Sequence, residues 1–229
     1  PIRLNKRKRT MDCFAELEQA TQGERARLIA APIIIEAFSG RVSRAHYLAF
    51  LTQAYHHVRH TVPLLMSCGG RLPARLEWLR DAVAHYITEE LGHQEWILND
   101  IDAAGGDAEA VRHGQPAFGT ELMVSYAYDT IQRRNPVGFF GMVYVLESTS
   151  VALASQVASV LSPSLDLPKK AFTYLTSHGS LDISHMDDFR ALVNRLDDPA
   201  DRAAVIDSAQ RFFRLYGDVI RALPTGGAA

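Results

Sequence analysis

Val137–Leu161 reads VGFFGMVYVLESTSVALASQVASVL, and the way this stretch is read decides the fold. It is long and apolar enough to suggest a membrane span, yet it carries Glu147, Gln156 and several serines. A helix that is apolar nearly all round belongs in the middle of a core, packed by other elements on most faces. The stretch therefore predicts a buried helix over Pro136–Val160, opened by Asn135-Pro136, because proline suits a first helical turn. A loop follows from Ser162-Pro163 to Pro168. Glu147 is the one charged residue between Val137 and Leu161, and burying a lone carboxylate costs several kcal/mol. A cationic partner, a proton or a metal ion must compensate it, and the histidine-rich segments elsewhere make the metal the least strained of these. A hydrogen bond from Tyr or His to a carboxyl of raised pKa is the plainer alternative.

Working outward, helical periodicity dominates. Met11–Ala31 predicts a first helix, Pro32–Gly40 a short second one, and Ser43 an N-cap for Ala45–Cys68, where Leu48, Leu51, Tyr55 and Val58 share one face. Pro63 should kink that helix and Gly69-Gly70 should close it. Further helices are expected over Pro73–Ala103, Thr120–Arg134, Lys169–Leu196 with an interruption at Gly179-Ser180, and Pro199–Leu223. Strand signals are nearly absent: no Asn-Gly or Asp-Gly separates alternating runs, and Ile33-Ile34-Ile35 is the only β-branched cluster.

With 47% hydrophobic residues among 229, the chain can bury one substantial core, so a single helical domain is expected over residues 11–224. Residues 1–10 read as a solvated basic tail and 225–229 as a second disordered one. A net charge of −2 offers no general attraction to nucleic acid or an anionic membrane, and neither is expected as a partner. Cys13 and Cys68 stand far apart in no spaced motif, which argues against a disulfide framework or a cysteine zinc site and fits a cytoplasmic protein.

Three segments carry side chains suited to chemistry. Glu90-Leu-Gly-His93 sets a carboxylate and an imidazole at i,i+3, which on a helix shares one face and can share a metal, although an exposed polar face has the same pattern. His178-Gly-Ser-Leu-Asp182-Ile-Ser-His185 places two imidazoles and a carboxylate on one helical stripe. Those nitrogen and oxygen donors suit iron, manganese or zinc, and the alternative is again a polar face. His56, His57 and His60 form the third group, read as hydrogen-bonded histidines at a helix interface. Phe139, Phe140, Tyr144, Tyr126 and Trp96 are candidate pocket aromatics, though aromatics at such spacing are more often plain core.

The order Glu90, His93, lone Glu147, then His178, Asp182 and His185 resembles the haem-oxygenase-like di-iron oxidases and oxygenases, which are CADD-like and TenA/PqqC-like in fold. Phe38–Leu65, FSGRVSRAHYLAFLTQAYHHVRHTVPLL, is similar to that superfamily's opening helices. The resemblance covers most of the chain and implies an all-α haem-oxygenase-like bundle of about seven to eight helices. It implies that Glu90 or its neighbour Glu89, His93, Glu147, His178, Asp182 and His185 are metal ligands, with Glu147 the catalytic residue and natural bridging carboxylate. It further implies a pair of non-haem iron ions, with manganese or a single filled site as variants. Where family members carry a further carboxylate, this chain has His56 and His57, or Tyr86.

The activity implied is O2-dependent oxidation or cleavage of a small organic substrate such as an amino acid, amine, fatty acid or aromatic precursor. An external electron donor and a homodimer belong to the same expectation. A cofactor-independent enzyme of the same fold, or a metal-free ligand-binding protein, is the alternative.

Overall fold

The computed structural model describes residues 12–225, and of residues 178–183 the backbone alone. The tail expected over 1–10 lies outside the described residues, as do 226–229 of the second tail and the side chains of His178 and Asp182. Among the described residues there are eleven α-helices and no strand. They are α1 (Cys13–Ile29), α2 (Pro32–Phe38), α3 (Arg44–Val58), α4 (Thr61–Arg71), α5 (Glu77–Glu90), α6 (His93–Ala103), α7 (Ala108–His113), α8 (Phe118–Arg133), α9 (Phe139–Ser164), α10 (Thr173–Asn194) and α11 (Pro199–Arg221).

Local chemistry accounts for many of the helix starts. Asp12 accepts from the Ala15 N–H at the head of α1, and Ser43 with His46 forms a reciprocal capping box on α3. Pro32 and Pro199 occupy first helical positions. The start of α10 is held from elsewhere in the chain: the carboxylate of Asp100, buried on α6, accepts from Thr173 N at 3.1 Å, from Tyr174 N at 2.8 Å and from the Thr173 hydroxyl.

The central helix is α9, packed by α10, α11 and α2. Its most apolar window is 56% buried, as the quoted sequence predicts for a core helix. Tyr144 stacks on Phe189 of α10 at 5.7 Å between ring centroids and meets Phe213 of α11 edge-on. Gly141 permits the close crossing of α9 and α11, since a Cβ there would lie 2.5 Å from Ala209 N and 2.7 Å from Val205 O.

The helix count exceeds the expected seven to eight because two expected long helices break and a short one fills a loop. The segment Ala45–Cys68 divides at Arg59-His60 rather than kinking at Pro63. Pro63 instead sits in the first turn of α4, where a missing N–H leaves no intrahelical bond unmade. Gly69-Gly70 do not stop α4, which runs to Arg71. Gly69 is the seat for α5, as its position leaves 3.2 Å between a Cβ and Val83 Cγ1. Pro73–Ala103 divides at Leu91-Gly92, where Gly92 takes φ 89°. Ala108–His113 is a short helix in the stretch between the helices expected over Pro73–Ala103 and Thr120–Arg134, capped by Asp107. Gly179-Ser180 do not interrupt α10.

Candidate metal centre

The break at Leu91-Gly92 shapes the first half of the site. Glu90 ends α5 and His93 begins α6, so the two are not one helix face, as their spacing predicts, but the two sides of a turn. The left-handed conformation of Gly92, which L side chains rarely adopt, folds them together. Glu90 Oε2 lies 3.0 Å from His93 Nδ1, and the buried His93 ring packs on Trp96 with centroids 4.1 Å apart. A carboxylate on Nδ1 orients the ring and leaves Nε2 as the nitrogen a metal would take.

Glu89, one residue earlier, points to a different histidine. Its Oε2 is 3.5 Å from His185 Nε2 of α10, and its Oε1 is 3.2 Å from His85 Nε2 one turn back on α5. The sequence leaves Glu89 and Glu90 as alternatives, and in the structure each has its own imidazole. His185 is buried, with Nδ1 3.9 Å from Glu147 Oε1 of α9. Glu147 is 8% exposed. Helices α5, α6, α9 and α10 thus bring Glu89, Glu90, His93, Glu147 and His185 into one region, largely buried except at Glu89. Among the described residues no three of these groups converge in metal-ligand geometry. Of the six residues implied as ligands, four have described side chains and all four are in this region.

Two further residues join the cluster, Tyr86, which the sequence marks only as standing where family members carry a carboxylate, and His85, which it does not single out. Tyr86 packs edge-on to His185 at 6.2 Å, and its buried hydroxyl has no hydrogen-bond partner among the described residues. Burial first, then the negative charges of Glu147, Asp188, Glu89 and Glu90, pushes that hydroxyl well above the ordinary tyrosine value, so it stays protonated. His85 was missed although His85 and Glu89 are i,i+4 neighbours, a signal present in the sequence. Tyr86 was marked only by the family resemblance, since a tyrosine on an apolar helix face is ordinarily core.

The third histidine group, His56 and His57 of α3 and His60 in the break before α4, has contacts of its own. His60 hydrogen-bonds the Tyr128 hydroxyl at 3.1 Å, and burial followed by the charge of Arg59 lowers its pKa. Burial, then Arg59 and His60, lowers that of His56 as well. His57 meets Tyr216 edge-on and lines the main cavity. Of the candidate aromatics, Phe139 lines that cavity, whereas Phe140 and Tyr144 are core and Tyr126 packs on Phe212. Both cysteines are free thiols buried in the core, and burial pushes Cys68 up to about 12, which makes it a poor nucleophile.

The cavity is an apolar space of about 190 Å³, reached by Tyr86, Glu90 and Glu147. Its described lining contains two carboxylates and no Lys or Arg. Carboxylates beside imidazoles, with no Lys or Arg in the described lining of the cavity next to them, are oxygen and nitrogen donors that suit iron or manganese. The donor set therefore fits a metal.

The bundle has the haem-oxygenase-like fold, as its likeness to solved structures shows. A domain of unknown function with this fold from Shewanella denitrificans superposes with a TM-score of 0.82 at 22% identity, over 93% of this chain and 92% of that one. Haem oxygenase from Leptospira interrogans gives 0.73 at 14% identity, over 93% and 100%. A TenA homologue from Pseudomonas syringae gives 0.74 at 11% identity, over 92% and 94%. The chain belongs to the iron-containing redox enzyme family, whose model matches residues 48–217. No curated protein matches it in sequence.

Proposed function

We propose that this protein is a non-haem di-iron oxidase or oxygenase that uses O2 to oxidise or cleave a small organic substrate. The observation that carries this reading is the gathering of Glu89, Glu90, His93, Glu147 and His185, carboxylates beside imidazoles from four helices, next to an apolar cavity that Glu90 and Glu147 line. Glu90 or Glu89, His93, Glu147 and His185 would hold the metal, together with His178 and Asp182 of α10. Iron bound there supplies the redox change that lets ground-state dioxygen react with a closed-shell organic molecule.

The chain's own residues do the rest. Glu90 holds the His93 ring through Nδ1, and Glu89 anchors His185. Glu147, on the central helix, sets the position of the cluster against α10. The protonated Tyr86 hydroxyl is a buried donor among carboxylates and can hold a proton there. The apolar walls exclude water from the reacting region.

The test is metal content with turnover. Chain purified from iron-fed cells should carry a pair of iron ions and consume O2 when reduced, and Glu147→Gln, which keeps the side-chain shape, should lose most of the iron while remaining folded. Wild-type iron content in Glu147→Gln, or negligible iron in the wild type, refutes the reading and leaves a metal-free enzyme or binding protein of this fold.

A further inference from the structure

Serine and threonine inside helices commonly turn their hydroxyls back to a carbonyl one turn earlier, and much of this chain does the same. Thr21, Thr52 and Thr130 each donate to the carbonyl four residues before, at 2.7, 2.8 and 2.8 Å. On α9 itself Ser159 donates to Gln156 O at 2.8 Å and Ser164 to Leu161 O at 3.2 Å. Ser148, Thr149 and Ser150, directly after Glu147 on the same helix, do not. Their hydroxyls are buried and have no hydrogen-bond partner among the described residues. A buried hydroxyl left unpaired costs free energy that an apolar side chain of the same shape would not.

Two of the three are on the cavity: Thr149 and Ser150 are in its lining and Ser148 is not. The α9 wall of the cavity otherwise repeats apolar residues at steps of three and four, Met142, Val143 and Leu146 on one side of Glu147 and Leu153, Ala154 and Val157 on the other. Thr149 and Ser150 fall where the same period calls for two more apolar side chains. Ser150 is three residues on from Glu147, which puts the two on one helix face about 4.5 Å apart along the axis. Hydroxyls kept from the backbone on an otherwise apolar wall are the few placed polar groups by which a pocket orients a ligand.

We propose that Thr149 and Ser150 anchor the substrate, their hydroxyls donating to an oxygen of the carbonyl or amide kind held one turn along α9 from Glu147. This rests on reading the carboxylate and imidazole cluster as the reacting centre and the cavity as the place of its substrate. The pair then selects an oxygen-bearing molecule over a hydrocarbon of the same shape, because a ligand without the oxygen leaves both hydroxyls unpaired.

The experiment uses two probes of one shape, acetophenone and α-methylstyrene, which carry O and CH2 on the same carbon. A cavity of about 150 Å³ takes benzene, and this one has about 190 Å³. Affinities are measured by calorimetric titration of the full chain, iron-free and iron-loaded, under nitrogen so that nothing turns over. Thr149→Val and Ser150→Ala should each weaken acetophenone by roughly 2- to 12-fold, the worth of one hydrogen bond, and leave α-methylstyrene unchanged or tighter. Ser148→Ala should change neither. Because the two hydroxyls are unpaired in the protein alone, both cavity variants should also hold or raise the Tm of the ligand-free chain.

Acetophenone that fails to bind the wild type overturns the proposal, as do equal changes for the two probes in both variants, or a loss in Ser148→Ala that matches theirs. Hydroxyls that only hold water would give those equal changes. A Tm lowered by more than roughly 2 °C in both variants overturns it too, since the hydroxyls would then be serving the fold. Iron content separates this from the redox reading. The ketone pattern in protein that takes up no iron would keep the anchor and remove the reaction, and iron uptake without the pattern would do the reverse.

Discussion

Replacing Asp100 by alanine should loosen the helix that carries half the candidate metal ligands, although Asp100 touches none of them. The carboxylate is fully buried on α6 and accepts two backbone N–H groups and one hydroxyl from Thr173 and Tyr174, the first residues of α10. Losing an N-cap acceptor costs about 0.5–2 kcal/mol, and leaving buried donors without partners costs about 1–3 kcal/mol. Burial pushes the Asp100 carboxyl above its ordinary pKa in spite of these bonds, so part of their energy already offsets desolvation. The net loss for Asp100→Ala is therefore about 2–3 kcal/mol, a fall in Tm of roughly 4–12 °C for a chain of this size. Asp100→Asn keeps one acceptor oxygen and should lose about 1 kcal/mol. Urea unfolding gives the global figure, and amide hydrogen exchange over residues 173–177 shows whether the loss is local to the start of α10. A change in Asp100→Ala below about 0.5 kcal/mol, with exchange there unaltered, would refute the argument that α6 anchors α10.

His178→Ala and His185→Ala should each reduce bound iron and abolish O2 consumption, while His113→Ala, at an exposed position on α7, should do neither; equal mild effects at all three would make α10 an ordinary polar helix. Gly141→Ala should destabilise the fold by about 1–3 kcal/mol, since the new methyl meets the α11 backbone, and a neutral result in thermal unfolding would contradict the close crossing. Burial pushes the Asp201 carboxyl up, but hydrogen bonds from Arg75 and Asn135 hold it below its usual range. A carboxyl lowered by folding adds stability above its unfolded pKa of about 3.9, and that contribution is lost as pH falls through the folded value. Asp201→Asn should thus be less stable than wild type near neutral pH, with the gap in urea midpoint closing below about pH 4; a gap independent of pH would remove the charge from the explanation.

Helix content and the identity of the central helix were legible because they depend on local pattern. The run Val137–Leu161 is apolar over more turns than any surface helix needs, and its one carboxylate marks the site by its isolation. Helix starts at Asp12-Cys13, Ser43-Arg44 and Pro199 follow from side chains within a turn of the boundary, and these are the contacts a linear reading sees. The breaks at Arg59-His60 and Leu91-Gly92 were not legible. Helical periodicity continues across both, and only packing against neighbouring helices rewards the turn.

The same division runs through the site. The residue types were fixed by sequence alone: carboxylates and imidazoles on α5, α6, α9 and α10, with a buried glutamate that demands compensation, are chemistry that no rearrangement of loops would alter. Their partnerships were decided by tertiary structure. Whether Glu89 or Glu90 meets His93, whether His185 lies by Glu147, and that Tyr86 and His85 join them, depend on the angle the chain takes at Gly92 and on how α10 is seated by Asp100. Distances between side chains on four helices are set by the packing of those helices, and a one-dimensional pattern holds the period of each helix but not the angle between any two.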